Sequence, residues 1–211
     1  MALKRDLTEM DVRYFLSEMG NRLRGRVIDK TSAVEMQIVA NVLDTVRLVA
    51  GAKLPDATTF MQQYATTIGP LVYLPEGWSR EMVVEVATHE FEHVTQFWRG
   101  EYGSGGGGFG AGPSFAYLYL MDEEVRVRAE QRALRAQWEM RRAVFGHELP
   151  HPSTFVEILE RGYALSEKSL RLARDLAEVW TTEVHYGRVD TTAGEVAIRV
   201  LSAMGDRKSV V

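Results

Sequence analysis

The most constraining stretch of the chain is Thr88-His89-Glu90-Phe91-Glu92-His93-Val94-Thr95-Gln96-Phe97-Trp98, where two of only five histidines stand four residues apart around a glutamate. The spacing has meaning only on a helix, and its flanks predict one over about residues 80–99. Ser79 is a favourable N-cap, Gly100 is a left-handed stop, and Met82, Val83, Val86, Ala87, Val94, Phe97 and Trp98 supply a broad apolar surface. On that helix His89 and His93 share a face with Cβ atoms roughly 6 Å apart. Two imidazoles on an otherwise apolar surface need polar partners once buried.

This is the HExxH pattern, and its residue types suit one job. Both imidazoles can reach a single ion at the roughly 2.0–2.1 Å of a zinc–nitrogen bond. Zinc lowers the pKa of a water to about 7, so a carboxylate beside the first histidine can take its proton near neutrality. The expected cofactor is therefore Zn2+, with His89 and His93 as ligands and Glu90 as general base. A second literal match, His147-Glu148-Leu149-Pro150-His151, fails on backbone grounds. Pro150 and Pro152 push Leu149 and His151 out of helical geometry, so this copy reads as a loop.

The rest of the chain is mostly helical in pattern. Thr8 to Asp11 caps a helix carrying Val12, Phe15, Leu16 and Met19, with Gly20 as a stop. A second helix, from about Thr31 to Val49, places Val34, Ile38, Val42, Val46 and Val49 on one face and ends at Gly51. Ile68-Gly69-Pro70-Leu71-Val72-Tyr73-Leu74-Pro75 is the clearest strand, and its prolines suggest a sheet edge. The glycine-rich segment 103–112 is not a phosphate loop, because no Gly-Lys-Ser/Thr follows. It reads as a surface insertion, with a mobile flap over a cleft as the functional alternative. A long charged helix is expected from Leu120 to Phe145, ended by Gly146. Another starts at a Thr154 to Glu157 capping box and runs towards Val184, with a possible break at Gly162. The tail from Asp206 is expected to fray.

Length and composition fit one domain over 1–211, with a core of about 1–146 and a C-terminal helical extension of about 147–211. A formal net charge of −4 lacks the basic footprint of a nucleic-acid binder. The absence of cysteine excludes disulfides, thiolate metal sites and thiol nucleophiles. On its charge, nucleic acid is not an expected partner, and with no recognisable signal peptide or membrane span neither is a membrane.

A catalytic zinc keeps three protein ligands and an open position. No histidine follows His93 for more than 50 residues, but the next helix brings Asp122, Glu123, Glu124 and Glu130. Here the segment ThrHisGluPheGluHisValThrGln resembles the active-site helix of zincin metallopeptidases, and the upstream strand is similar to their edge strand. The likeness covers about residues 65–135 and extends to peptidases of phage and mobile-element origin. It implies an α+β fold, predominantly helical and zincin-like, with a small sheet packed on the active-site helix. It also implies a peptide or protein substrate and a phage or mobile-element-associated setting; otherwise, with no signal peptide or membrane span recognisable, the cytoplasm is the default expectation. In the gluzincin group of that family the third ligand is a glutamate on a following helix, often as Glu-x-x-Ala. Glu124, near the helix start, is the first choice, although Val127 stands where a small residue is expected. Glu123 and Glu130 are alternatives, and Glu130-Gln131-Arg132-Ala133 fits the pattern literally. Donors for an oxyanion are open among Tyr117, Tyr119, His185, Tyr186 and Arg126. Two other readings remain: a non-catalytic interaction protein on a zincin scaffold, and a carboxylate-bridged di-iron bundle using Glu90/His93 with Glu148/His151.

Overall fold

The computed structural model describes residues 6–50, 56–100, 111–163 and 165–207. The chain is predominantly helical with one small sheet, an α+β arrangement. Helix α1 (Glu9–Leu23) is opened by a reciprocal capping box between Thr8 and Asp11. It passes through Gly20 rather than stopping there. A side chain at Gly20 would come within 2.9 Å of the Gly25 carbonyl, so glycine serves the return of the chain over the helix end. That return forms strand β1 (Arg26–Asp29), which the sequence pattern did not reveal.

Helix α2 (Val34–Ala50) and the short α3 (Ala57–Gln63) lead to strands β2 (Thr66–Ile68) and β3 (Leu71–Leu74). The single strand expected at 68–75 is thus a hairpin. Gly69 takes φ 60° in its two-residue turn, a conformation glycine reaches without strain. The strand order is β1-β3-β2, with β1 parallel and β2 antiparallel to β3. The segment expected at an edge is therefore central. Pro70 sits in the turn and Pro75 beyond the strand, where neither interrupts the hydrogen-bond ladder.

Helix α4 (Arg80–Arg99) is capped by Ser79 and ended by left-handed Gly100, as its sequence predicts. Beyond it lie α5 (Ala111–Met121) and α6 (Glu123–Met140), the latter continued by one π turn at Arg141–Phe145. The long helix expected over 120–145 is broken at Asp122, whose carboxylate accepts from the Glu124 and Val125 amides and starts a new helix. The helix expected from Thr154 to Val184 is likewise two, α7 (Pro152–Gly162) and α8 (Glu167–His185), capped by His151 and Ser166. A last helix, α9 (Thr192–Arg207), was not foreseen. The glycine-rich segment lies outside the described residues up to 110; Ala111 and Gly112 open α5. Of the tail, Asp206 and Arg207 are helical and 208–211 lie outside the described residues.

Helix α4 is the centre of the molecule. The sheet, α1, α6 and α9 pack around it, and the main core joins Phe15 and Met19, Val72, Phe91 and Val94, Met140, and Leu201. α9, from the expected C-terminal extension, belongs to that same core. A second cluster seats Phe155, Leu159 and Trp180 of α7 and α8 against Val127 and Leu134 of α6. Among the described residues no helix is long and apolar enough to cross a membrane.

Candidate metal centre

Because α4 is covered on several sides, it buries polar side chains as well as apolar ones: Glu85, Thr88, Glu90, Glu92, His93, Thr95 and Gln96. Each needs a partner, and the partners locate the site. Helix α6 crosses α4 where Ala129, Ala133 and Ala136, all fully buried, let the helices approach closely. Gln96 Nε2 donates to the Ala129 carbonyl at 3.1 Å, and Arg132 Nε donates to Glu92 at 2.7 Å. Glu92 also accepts from the Ala193 amide, tying the start of α9 to α4.

At that crossing Glu130 enters between the two histidines. Its Oε2 lies 3.5 Å from His89 Nε2 and its Oε1 3.4 Å from His93 Nε2. One donor atom from each of the three residues lies within 4.8 Å of the others. The expected first choice, Glu124, is not brought to the histidines: its carboxylate pairs with Lys168 at 2.5 Å on the surface. Glu123 is spent on the Ser166 and Ser169 hydroxyls and the Ser166 amide. The reason is helical geometry. Glu130 lies six positions after Glu124, which at about 1.5 Å rise is roughly 9 Å along the axis and some 240° of rotation. Ala133, one turn after Glu130, was the legible signal: a small residue is needed where α6 touches α4.

The hydrogen bonding fixes a tautomer. The Ala129 carbonyl can only accept, so the Gln96 amide must turn Nε2 towards it and present Oε1 to His93 Nδ1, 2.9 Å away. His93 Nδ1 therefore carries a hydrogen, and a neutral His93 aims its Nε2 lone pair at a carboxylate. That arrangement calls for a cation between them, a proton or a metal ion. As a lone imidazole, His93 would be pushed down by burial; the charge of Glu130 and the contact with it, joined by the Glu90 charge and the Gln96 hydrogen bond, together outweigh this and raise it to about 9. Burial would raise Glu130, but His93 and His89 hold it well below the ordinary carboxylate range. The 3.4–3.5 Å separations exceed the roughly 2.7–2.9 Å of a charge-assisted hydrogen bond. They match the roughly 3.3 Å expected between two ligand atoms about 2.0–2.1 Å from a shared tetrahedral ion.

No protein-family model, curated protein or solved structure matches the chain.

Around the three donors, Glu90 is buried beside strand β2, where Thr67 Oγ1 donates to Glu90 Oε2 at 2.6 Å. Lys30 is fully buried and donates to the carbonyls of Phe60 and Tyr64 and to Thr66 Oγ1, each at 2.9 Å. Burial lowers it to about 8 against the opposing pull of Glu90. Two phenols, Tyr119 and Tyr163, both donate to Glu130 Oε1. Burial, and then the Glu130 charge, raises both well above the ordinary phenol value.

Of the other oxyanion candidates, Tyr117 on α5 and Tyr186 after α8 are exposed. His185 and Tyr186 stack edge to face on each other. Arg126 is occupied with the carbonyls of Tyr119 and Leu120 at the end of α5. Tyr119 alone of the expected set touches the cluster. Thr67, Gln96 and Tyr163 were missed. Gln96, one turn beyond His93, was the only one of these with a sequence signal.

The second HExxH copy is a loop, as its prolines require. His151 caps α7 through Ser153. His147 approaches Glu81 and Glu85 closely enough to suggest another ion site. Arg141 argues against it: the guanidinium only donates, so His147 Nδ1 accepts and Nε2 keeps its hydrogen, directed at Glu81 3.2 Å away. Glu148 and His151 are not brought to the Glu90/His93 pair, so the described residues supply no di-iron ligand set.

Proposed function

We propose that the chain is a zinc-dependent peptidase of zincin-like architecture, with His89, His93 and Glu130 holding the ion and Glu90 acting as general base. The observation that carries this reading is the orientation of His93. Gln96 turns its lone pair towards Glu130 at ligand-to-ligand spacing, in the company of His89. Two imidazoles and one carboxylate are a donor set of the open catalytic kind. A zinc ion bound there supplies a Lewis acid and an acidified water.

The protein's own part is proton handling. Thr67 occupies Glu90 Oε2, which leaves Oε1 to accept the proton from the attacking water as its oxygen bonds to the scissile carbonyl carbon. The same oxygen then returns the proton to the departing amine nitrogen as the carbon–nitrogen bond breaks.

The test is Glu90→Gln against wild type on a broad peptide library, with metal content measured in both and in His93→Ala. The expected outcome is about one zinc per chain in wild type and Glu90→Gln, loss in His93→Ala, and a fall of about 10²–10⁴ in cleavage by Glu90→Gln. Unchanged cleavage by Glu90→Gln would refute the mechanism. Metal binding without cleavage by wild type would favour the non-catalytic scaffold.

A further inference from the structure

Three oxygens meet at the third donor: the Tyr119 hydroxyl from α5, the Tyr163 hydroxyl from the end of α7, and Glu130 Oε1 from α6. Tyr163 and Glu130 are 2.8 Å apart, as are the two phenols. Each phenol has one hydrogen, so two hydrogens serve three contacts, and a carboxylate oxygen can only accept. At least one hydrogen must therefore always point at Oε1. Glu130 is 7% exposed, so water is a poor substitute. Among the described residues, the two phenols are the groups besides the histidines that hold this carboxylate.

Resting on the metal-centre reading above, we infer that Tyr119 and Tyr163 form a redundant clamp that positions Glu130 for an ion. They are positioning residues, acting through the carboxylate. The redundancy follows from the hydrogen count. Removing one phenol relieves the contested contact and leaves the other hydroxyl free to donate fully to Oε1. Removing both leaves Oε1 without a hydroxyl donor and Glu130 held by the histidines alone. Outer partners of this kind typically change metal affinity by about 10–100-fold.

The experiment uses the full chain, stripped of metal and titrated with Zn2+ against a chelating competitor. Wild type is compared with Tyr119→Phe, Tyr163→Phe and the double variant. Co2+ substitution follows coordination through its visible spectrum, and circular dichroism verifies folding. The single variants should each bind zinc a few-fold more weakly. The double variant should bind about 10–100-fold more weakly, exceeding the product of the singles, with an altered Co2+ spectrum. A double variant within about twofold of wild type, with an unchanged spectrum, overturns the clamp and leaves the metal centre standing. Absence of zinc binding by wild type removes the metal centre and the clamp with it. If the double variant does not fold, the singles decide: wild-type affinity and spectrum in both overturn the inference.

Discussion

Gln96→Leu tests the link between fold and site most directly. Gln96 is fully buried and spans two helices, accepting from His93 Nδ1 at 2.9 Å and donating to the Ala129 carbonyl at 3.1 Å. Leucine fills nearly the same volume, so the cavity contribution is small and the loss is polar. An imidazole N–H and a carbonyl are left buried, each costing about 1–3 kcal/mol when unsatisfied. The carbonyl belongs to the interior of α6 and keeps its helical bond, which places its share at the low end. The expected destabilisation is about 2–4 kcal/mol, read in urea unfolding of metal-free protein as a lower midpoint at unchanged m. Zinc affinity should fall about 10–100-fold, because His93 loses the acceptor that sets its tautomer. Gln96→Glu separates the two effects: it keeps the acceptor for His93 and loses the donor to Ala129. A stability change below about 0.5 kcal/mol, with zinc affinity intact in Gln96→Leu, would refute the reasoning.

Further outcomes follow from the same geometry. Glu130→Ala should abolish stoichiometric zinc binding, whereas Glu124→Ala, which loses only a surface pair with Lys168, should leave metal content unchanged and stability altered by less than about 1 kcal/mol. Glu123 is lowered to about 2 by the Ser166 hydroxyl and amide and the Ser169 hydroxyl. Its folded value lies below the ordinary 4.5, so its stabilisation is present above about pH 4.5 and lost as pH falls towards 2. The urea midpoints of wild type and Glu123→Ala should accordingly converge on acidification. Glu85 behaves oppositely: burial raises it to about 7 despite Arg141 and with Glu81 adding to the rise. The folded chain holds the extra proton between about pH 4.5 and 7, so wild-type stability should fall as pH rises through that window. Glu85→Gln should flatten that slope, and an unchanged slope would refute the assignment.

Local chemistry explains why α4 was legible. Ser79, Gly100 and the intervening periodicity act within a few residues of one another, and so does the steric conflict that keeps Pro150 and Pro152 from making a second helical HExxH. The pairing of His89 with His93 is of the same kind, since helical pitch alone puts them on one face. Strand β1 and helix α9 were not legible: four residues of β1 become a strand only beside β3, and α9 is held by Glu92 and the buried faces of α1, α4 and α6. The choice among Glu123, Glu124 and Glu130 also lay beyond local pattern, because each is a plausible acid on one helix. The point at which α6 crosses α4, which the small side chains of Ala129 and Ala133 allow, brings Glu130 rather than Glu123 or Glu124 beside the histidines. Tyr163 meets Glu130 from 33 residues downstream, and Thr67 meets Glu90 from 23 upstream. The HExxH residues were thus readable from the chain as two histidines and a glutamate, because one turn of helix contains them. The acid that completes the set, the amide that orients His93 and the phenols that hold Glu130 come from helix crossing and chain return, which depend on how distant surfaces pack.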